Sequence, residues 1–172
     1  MSLTQQLDEA RTEFIAHPTN ENLKAFLTLK ARLGRFDKRM CMHFNVDPHV
    51  NAGCRAAICR AYAAGLVPTS TTGGTHAPGS FHTRKNGHGE GQAVDFGVRR
   101  NLVGTAKAAQ LLASFQLKEH ARFHNHKLHH DLVELIGPIN TLIVLRDVET
   151  DLAEGTALEN QHDNHVHEAY RG

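Results

Sequence analysis

The chain has 172 residues, a length that suits one domain with a genuine hydrophobic core. Its 19 Lys and Arg residues nearly balance its 18 Asp and Glu residues, so the charge indicates neither a nucleic-acid-binding surface nor an acidic tail. No apolar run of about 18 residues marks a membrane span, and the N-terminus lacks the pattern of a signal peptide. We therefore expect a protein that is made in the cytoplasm, with no membrane insertion and no nucleic-acid partner.

Two helices are predicted at the start of the chain. Residues 3–16 place Leu3, Leu7, Ala10 and Phe14 at helical spacing. A second amphipathic stretch follows the cap residues at 19–20 and ends before Gly34. We expect residues 1–45 to form a helical hairpin, either packed on the rest of the chain or acting as a spacer, ahead of a domain over residues 46–172.

Histidine and cysteine are both informative in composition. The 14 histidines occur in local groups, a density that favours metal binding. The three cysteines, Cys41, Cys54 and Cys59, lack a Cys-x-x-Cys spacing, so buried free thiols are expected. A metal site at Cys41, His43 and Cys54 would lack a fourth ligand.

The remaining elements alternate between helices and strands. Asp47-Pro48 predicts the start of a helix that ends at Gly65, and residues 66–91 are rich in turn-forming residues, as in a long loop. Strands are predicted at 92–98, 141–145 and 165–170, and helices at 103–118 and 127–136. This order indicates an α+β fold, a small and mostly antiparallel sheet flanked by helices.

Three distant segments carry the residues of a candidate metal site. On a strand, alternate residues share a face, so His165 and His167 project into the same cleft. Asp95 lies on the polar face of the earlier strand and supplies an oxygen ligand, and a histidine from the preceding loop completes the site. Three protein ligands with an open fourth position are typical of catalytic Zn²⁺.

These residues resemble the D-alanyl-D-alanine metallopeptidase family, which includes the L-alanyl-D-glutamate peptidases of phage endolysins. The family pattern is Ser-x-His-x-x-Gly-x-Ala-x-Asp followed distantly by His-x-His or a single histidine. The resemblance covers residues 65–98 and 160–170, and it places Gly91, Ala93 and Asp95 directly on the pattern. It implies a small sheet flanked by helices, with zinc bound by the loop histidine, the aspartate and the final histidine.

Two residues compete for the first ligand. His88 has the family spacing to Asp95, whereas His82 has the Ser-x-His context in Ser80-Phe81-His82. If His82 is the ligand, the polar residues 85–90 are an inserted loop. The context favours His82, with Ser80 and His76 as residues of the substrate pocket.

At the C-terminal motif the resemblance assigns His167 to zinc and His165 to the transition state. Asp163 or Glu168 is expected to serve as the general base, and Asp163 matches the family more closely. Family members that trim D-alanine hold the substrate carboxylate with an arginine upstream of the serine, and none occurs between Arg60 and Arg84. This absence favours an internal cut in the peptide.

The expected function is therefore that of a zinc-dependent peptidoglycan peptidase of the endolysin type, acting on the bacterial cell wall. Its partner would be peptidoglycan, and the protein would be a monomer or part of a larger virion or lysis assembly. One alternative is a zinc-stabilised, non-catalytic module that binds the wall or belongs to a virion. Another is a histidine-rich metal buffer with several weak sites.

Overall fold

The computed structural model describes residues 1–17, 19, 21–22, 25–26, 28–29, 49–72, 76–98, 103–125, 131–153 and 155–172. The helices whose two ends lie in these residues are α1 (Leu3–Ala16), α2 (Ala52–Ala63), α3 (Thr105–His124) and α4 (Ala157–His162). The strands are β1 (Val67–Ser70), β2 (Ala93–Gly97), β3 (Leu132–Ile136), β4 (Ile143–Leu145), β5 (Val148–Thr150) and β6 (Val166–Tyr170). A short 3₁₀ turn occupies Phe81–Thr83.

The strands form one six-stranded sheet in the order β1-β2-β6-β3-β4-β5. Every neighbouring pair in it is antiparallel. The predicted α+β class with an antiparallel sheet is thus confirmed. The last strand of the chain lies between β2 and β3, so residues that are far apart in sequence meet at the centre of the sheet.

The main hydrophobic core lies between one face of the sheet and helices α2 and α3. Val94, Phe96 and Val166 project from the sheet into it, and the Phe96 and Phe115 rings meet edge to face at 5.4 Å. On the opposite face lies a smaller cluster, formed by Ala93, Val133 and Ala169 with Phe81 packed against them. The alternation predicted for β2 therefore holds, with Asp95 on the face away from the main core.

The N-terminal helix is confirmed as α1, which begins with a capping box between Ser2 and Gln5. The described residues of the second predicted helix, 21–22, 25–26 and 28–29, are helical. Cys41, His43 and the expected boundary at 45/46 lie outside the described residues. Cys54 is a buried free thiol, and Cys59 is a partly buried one.

Helix α2 starts later than predicted. Val50 forms an isolated bridge with Gly91, and Asn51 is the N-cap, its side chain accepting a hydrogen bond from the Cys54 amide at 2.9 Å. Asp47 and Pro48 lie outside the described residues, but they do not begin α2, because residue 50 is still in a β-bridge and Asn51 is the N-cap. Gly65, at φ +82°, follows the helix end as expected.

Two further expectations are wrong. Residues 66–91 are more than a loop, since β1 pairs with β2. In the segment 127–136, residues 132–136 form β3 instead of a helix, and the predicted helix at 103–118 extends to His124. Strands 93–97, 143–145 and 166–170 agree with the predicted ones to within two residues. Within the described part of the chain, no helix is both long and apolar enough to cross a membrane.

Candidate metal centre

Adjacent strands place Asp95 and His167 side by side. The two residues are directly opposed in the β2–β6 register, where facing side chains start only about 4.5–5.5 Å apart. Their neighbours Val94 and Val166 are buried in the main core. Because successive side chains on a strand point to opposite faces, those of Asp95 and His167 point to the other face of the sheet. His167 Nδ1 lies 2.8 Å from Asp95 Oδ1.

The third member is His82, held above the sheet by the 3₁₀ turn. The Ser80 hydroxyl accepts a hydrogen bond from the His82 amide at 3.3 Å and so caps this turn. Phe81 packs against the smaller apolar cluster and anchors the turn on the sheet. His82 Nε2 thereby lies 3.0 Å from Asp95 Oδ1 and 3.1 Å from His167 Nδ1.

In His82 and His167, the ring nitrogen that points away from Asp95 has its own hydrogen-bond partner, and this partner determines which nitrogen carries the proton. His82 Nδ1 contacts the Thr71 carbonyl, which can only accept, so Nδ1 carries the proton and Nε2 presents a lone pair. His167 Nε2 lies 3.2 Å from Glu134 Oε2 and in the same way donates to that carboxylate. With both rings neutral, two nitrogen lone pairs and one carboxylate oxygen converge, and a metal ion or a proton on His167 relieves the repulsion among them.

The donor set fits zinc. Two imidazole nitrogens and one carboxylate oxygen are ordinary zinc ligands, and donors about 2.0–2.1 Å from a tetrahedral ion are roughly 3.3 Å apart. The three atoms here are separated by 2.8–3.1 Å, so small adjustments would suffice. We call His82, Asp95 and His167 the candidate metal centre.

The electrostatics of the candidate metal centre also favour a positive charge. Burial alone would raise the pKa of the Asp95 carboxyl, but its close contacts with the imidazoles of His167 and His82 hold that pKa well below its usual range. Burial alone would lower the pKa of His167, but hydrogen bonds to Asp95 and Glu134 raise it to about 9. The carboxylate is therefore ionised at neutral pH, and a proton on His167 or a metal ion balances its charge.

The candidate metal centre lies in a cavity of about 790 Å³, within the range of about 300–1,000 Å³ that is usual for ligand sites. Other polar residues that line it are His76, Ser80, Glu134, Arg146, Gln161, His162 and His165. Helix α4 and the turn between β4 and β5 supply part of the wall. A molecule in this cavity would contact the candidate metal centre directly.

Three more predicted site residues lie around the cavity. His165 Nε2 is 3.9 Å from Asp95 Oδ1, and burial lowers the pKa of this half-buried imidazole. His76 stacks on His82 with ring centroids 4.1 Å apart, and its Nε2 lies 3.1 Å from Ser70 Oγ. Ser80 contributes to the lining as well as to the turn.

The structure does not bring His88, Asp163 or Glu168 to the cavity. His88 is exposed in a turn that closes through an antiparallel bridge between Lys85 and Gly91. Residues 85–91 therefore form a turn that the Arg55–Glu90 ion pair, at 2.9 Å, joins to α2, and His88 is not among the residues that line the cavity. Asp163 is exposed and absent from the lining.

Glu168 points to the opposite face of the sheet. It is fully buried, where it accepts a 2.5 Å hydrogen bond from the Tyr170 hydroxyl and lies 3.9 Å from Arg60. Burial, together with the nearby Glu119, raises the pKa of Glu168 to about 8. This carboxyl belongs to the packing between α2, α3 and β6.

Four polar lining residues were not predicted as site residues from the sequence: Glu134, Arg146, Gln161 and His162. Glu134 was missed because its segment was interpreted as a helix. Arg146 was missed because the β4–β5 turn lacks a glycine signal. His162 belongs to a histidine group noted in the composition; its ring lies 4.7 Å from the His165 ring, and burial lowers its pKa to about 4. Its closeness in sequence to His165 and His167 was the available signal.

Comparisons of the chain with protein-family models, with curated proteins and with solved structures find no match.

Proposed function

We propose that this protein is a zinc-dependent peptidoglycan peptidase of the endolysin type, which hydrolyses an amide bond in the stem peptide or cross-link. The observation that carries this proposal is the convergence of His82 Nε2, Asp95 Oδ1 and His167 Nδ1 in an open cavity. The substrate class comes from the resemblance of Ser80, His82, Gly91, Ala93 and Asp95 to the D-alanyl-D-alanine metallopeptidase pattern.

The ligands would be held in a fixed orientation by their own partners. Thr71 and Glu134 each accept a hydrogen bond from the outer nitrogen of a ligating ring, the usual way in which histidine ligands are oriented. When bound, a zinc ion lowers the pKa of its water to about 7 and polarises a carbonyl group. His165, beside Asp95, would stabilise the oxyanion that develops on the substrate carbonyl.

Glu134 is better placed than Asp163 to move a proton. Among the described residues, Asp95 and Glu134 are the carboxylates that line the cavity. Asp95 is committed as a ligand and Glu134 Oε2 accepts the hydrogen bond from His167, so the second oxygen of Glu134 would receive the proton of the attacking water and pass it to the leaving amine. Asp163 would act on His165 only through its charge, which favours the protonated imidazole.

Arg146 would bind a carboxylate of the substrate. It lies in the cavity wall, and a guanidinium is suited to bidentate contact with a carboxylate, a group that peptide stems carry. In the family that the motif resembles, an arginine upstream of the serine has this task. Here Arg146, in the β4–β5 turn, would supply the positive charge instead.

The test is digestion of purified peptidoglycan by the full chain, with the released ends identified by mass spectrometry. We expect new amine and carboxyl termini that disappear with a chelator and return with zinc. His167→Ala should abolish release, whereas His88→Ala, an exposed histidine outside the cavity, should leave it unchanged. Intact wall despite one zinc ion bound to the candidate metal centre would contradict catalysis and favour a non-catalytic wall-binding module.

A further inference from the structure

A second group of possible metal ligands lies where the last turns of α3 meet strand β5. His120 and His124 are one helical turn apart, so their side chains project from the same face of α3. Glu149 reaches them from the middle of β5. Its Oε1 lies 3.3 Å from His124 Nε2 and 3.8 Å from His120 Nε2, and the ligand atoms of all three residues lie within 4.8 Å of one another.

The distances from Glu149 to the two histidines are longer than those of good hydrogen bonds. Good N–H···O bonds measure about 2.7–3.2 Å, and both contacts to Glu149 are longer. They are closer to the roughly 3.3 Å that separates ligands around a tetrahedral zinc ion. The two rings meet edge to face, 5.2 Å apart and at 87°, and both turn Nε2 towards the same carboxylate oxygen.

The side chains of His120, His124 and Glu149 differ in how far they are exposed to solvent. The His120 side chain is 10% exposed, whereas His124 and Glu149 are 60% and 39% exposed. The helix therefore fixes one imidazole firmly, while the other two ligands lie at the surface, where water can complete the coordination of an ion. Two imidazoles and a single carboxylate favour zinc and similar transition metals over calcium or magnesium, which prefer oxygen ligands.

We propose that His120, His124 and Glu149 form a second binding site for a divalent transition-metal ion, distinct from the candidate metal centre. Among the described strands, β5 pairs only with β4 and so forms an edge of the sheet. An ion held at the second site would therefore link α3 to this edge strand. The β4–β5 turn carries Arg146 in the cavity wall. The second site therefore restrains the hairpin that positions this arginine, and its existence does not depend on the proposed hydrolysis.

The test is the zinc stoichiometry of the full chain, stripped of metal, reloaded by equilibrium dialysis against zinc and measured by elemental analysis. We expect the natural sequence to hold two ions per chain. His124→Ala and His167→Ala should each lower the content to one ion, and the double variant should hold none. His88→Ala is the matched control, since this exposed histidine belongs to neither group, and it should retain both ions.

The variants separate the two sites and guard against misfolding. His124 is exposed at the surface, so its truncation leaves the core intact, and circular dichroism would check this. A single ion that His124→Ala retains and His167→Ala loses would overturn the second site, as would two ions retained by His124→Ala. If peptidoglycan stays intact while the content still falls from two ions to one in His124→Ala, the second site stands and the proposed function alone fails.

Discussion

At the level of single residues, the role of each histidine depends on the partner of its outer nitrogen. His82 and His167 become candidate ligands because Thr71 and Glu134 fix the proton on the far side of each ring. The sequence identified both histidines and Asp95 from their motif. It left His88 as an alternative, because spacing along the chain does not reveal that residues 85–91 close on themselves.

Glu134→Gln should weaken zinc binding at the candidate metal centre. The amide oxygen can still accept the hydrogen bond from His167 Nε2, but the negative charge that favours a cation is lost. Changes to such partners typically reduce metal affinity about 10- to 100-fold. We expect a loss of that size in competition with a chromogenic chelator, measured in a His124→Ala background so that the second site does not contribute.

Glu9→Gln is the control for this change, because Glu9 is an exposed carboxylate on α1. It removes the same charge far from the cavity and should leave the zinc affinity unchanged. Equal affinities for Glu134→Gln and Glu9→Gln would show that Glu134 does not support the ligand His167.

At the level of elements, local patterns predicted the amphipathic helices and the strand with one polar position. The helix at 127–136 was wrong because Leu132, Val133, Leu135 and Ile136 form a short apolar run around Glu134, and such a run fits a buried strand as well as a helix. Pairing with β6 and β4 decides in favour of the strand. This distinction depends on residues far away in sequence, so no local signal contained it.

The β4–β5 hairpin shows a second limit of local patterns. Its two-residue turn has positive φ angles at Arg146 and Asp147, 51° and 69°, where Asn-Gly or Asp-Gly is the usual signal. Neither residue is glycine, so the sequence gives little sign of the turn. The turn places Arg146 in the wall of the cavity.

Gly53→Ala should destabilise the contact between α2 and β6. A Cβ atom at residue 53 would lie 2.5 Å from the Tyr170 ring, and the ring is fully buried. Alanine gains about 0.5–1 kcal/mol over glycine within a helix, but overpacking a core typically costs about 1–3 kcal/mol. We therefore expect a net loss of unfolding free energy in urea denaturation.

Gly87→Ala provides the matched comparison. Nothing lies within 4 Å of a Cβ at residue 87, and its φ is outside the left-handed region. A surface change of this kind should alter the free energy of unfolding by about 0.5 kcal/mol or less. Equal stability of the two variants would contradict the close contact between α2 and Tyr170.

At the level of the whole molecule, the main hydrophobic core and the candidate metal centre lie on opposite faces of one sheet. The helices α2 and α3 cover one face with the main core, and the cavity with the candidate metal centre opens on the other. The sequence left open whether the N-terminal segment is a spacer. Phe14 and Phe26 belong to the main hydrophobic cluster, and the Phe26 ring meets the Tyr62 ring of α2 edge to face at 5.1 Å.

Phe14→Ala should therefore destabilise the whole domain while leaving zinc affinity unchanged. Phe14 is 1% exposed, and its ring stacks on that of Phe26 with the centroids 6.2 Å apart. Replacing such a buried phenylalanine with alanine typically lowers the free energy of unfolding by about 3–5 kcal/mol. At about 2–4 °C per kcal/mol for a chain of this size, the midpoint of thermal unfolding should fall by roughly 6–20 °C. Leu117→Ala, at a side chain that is 55% exposed, is the control and should shift it little. An unchanged midpoint for Phe14→Ala would mean that the segment is a spacer with its own independent packing.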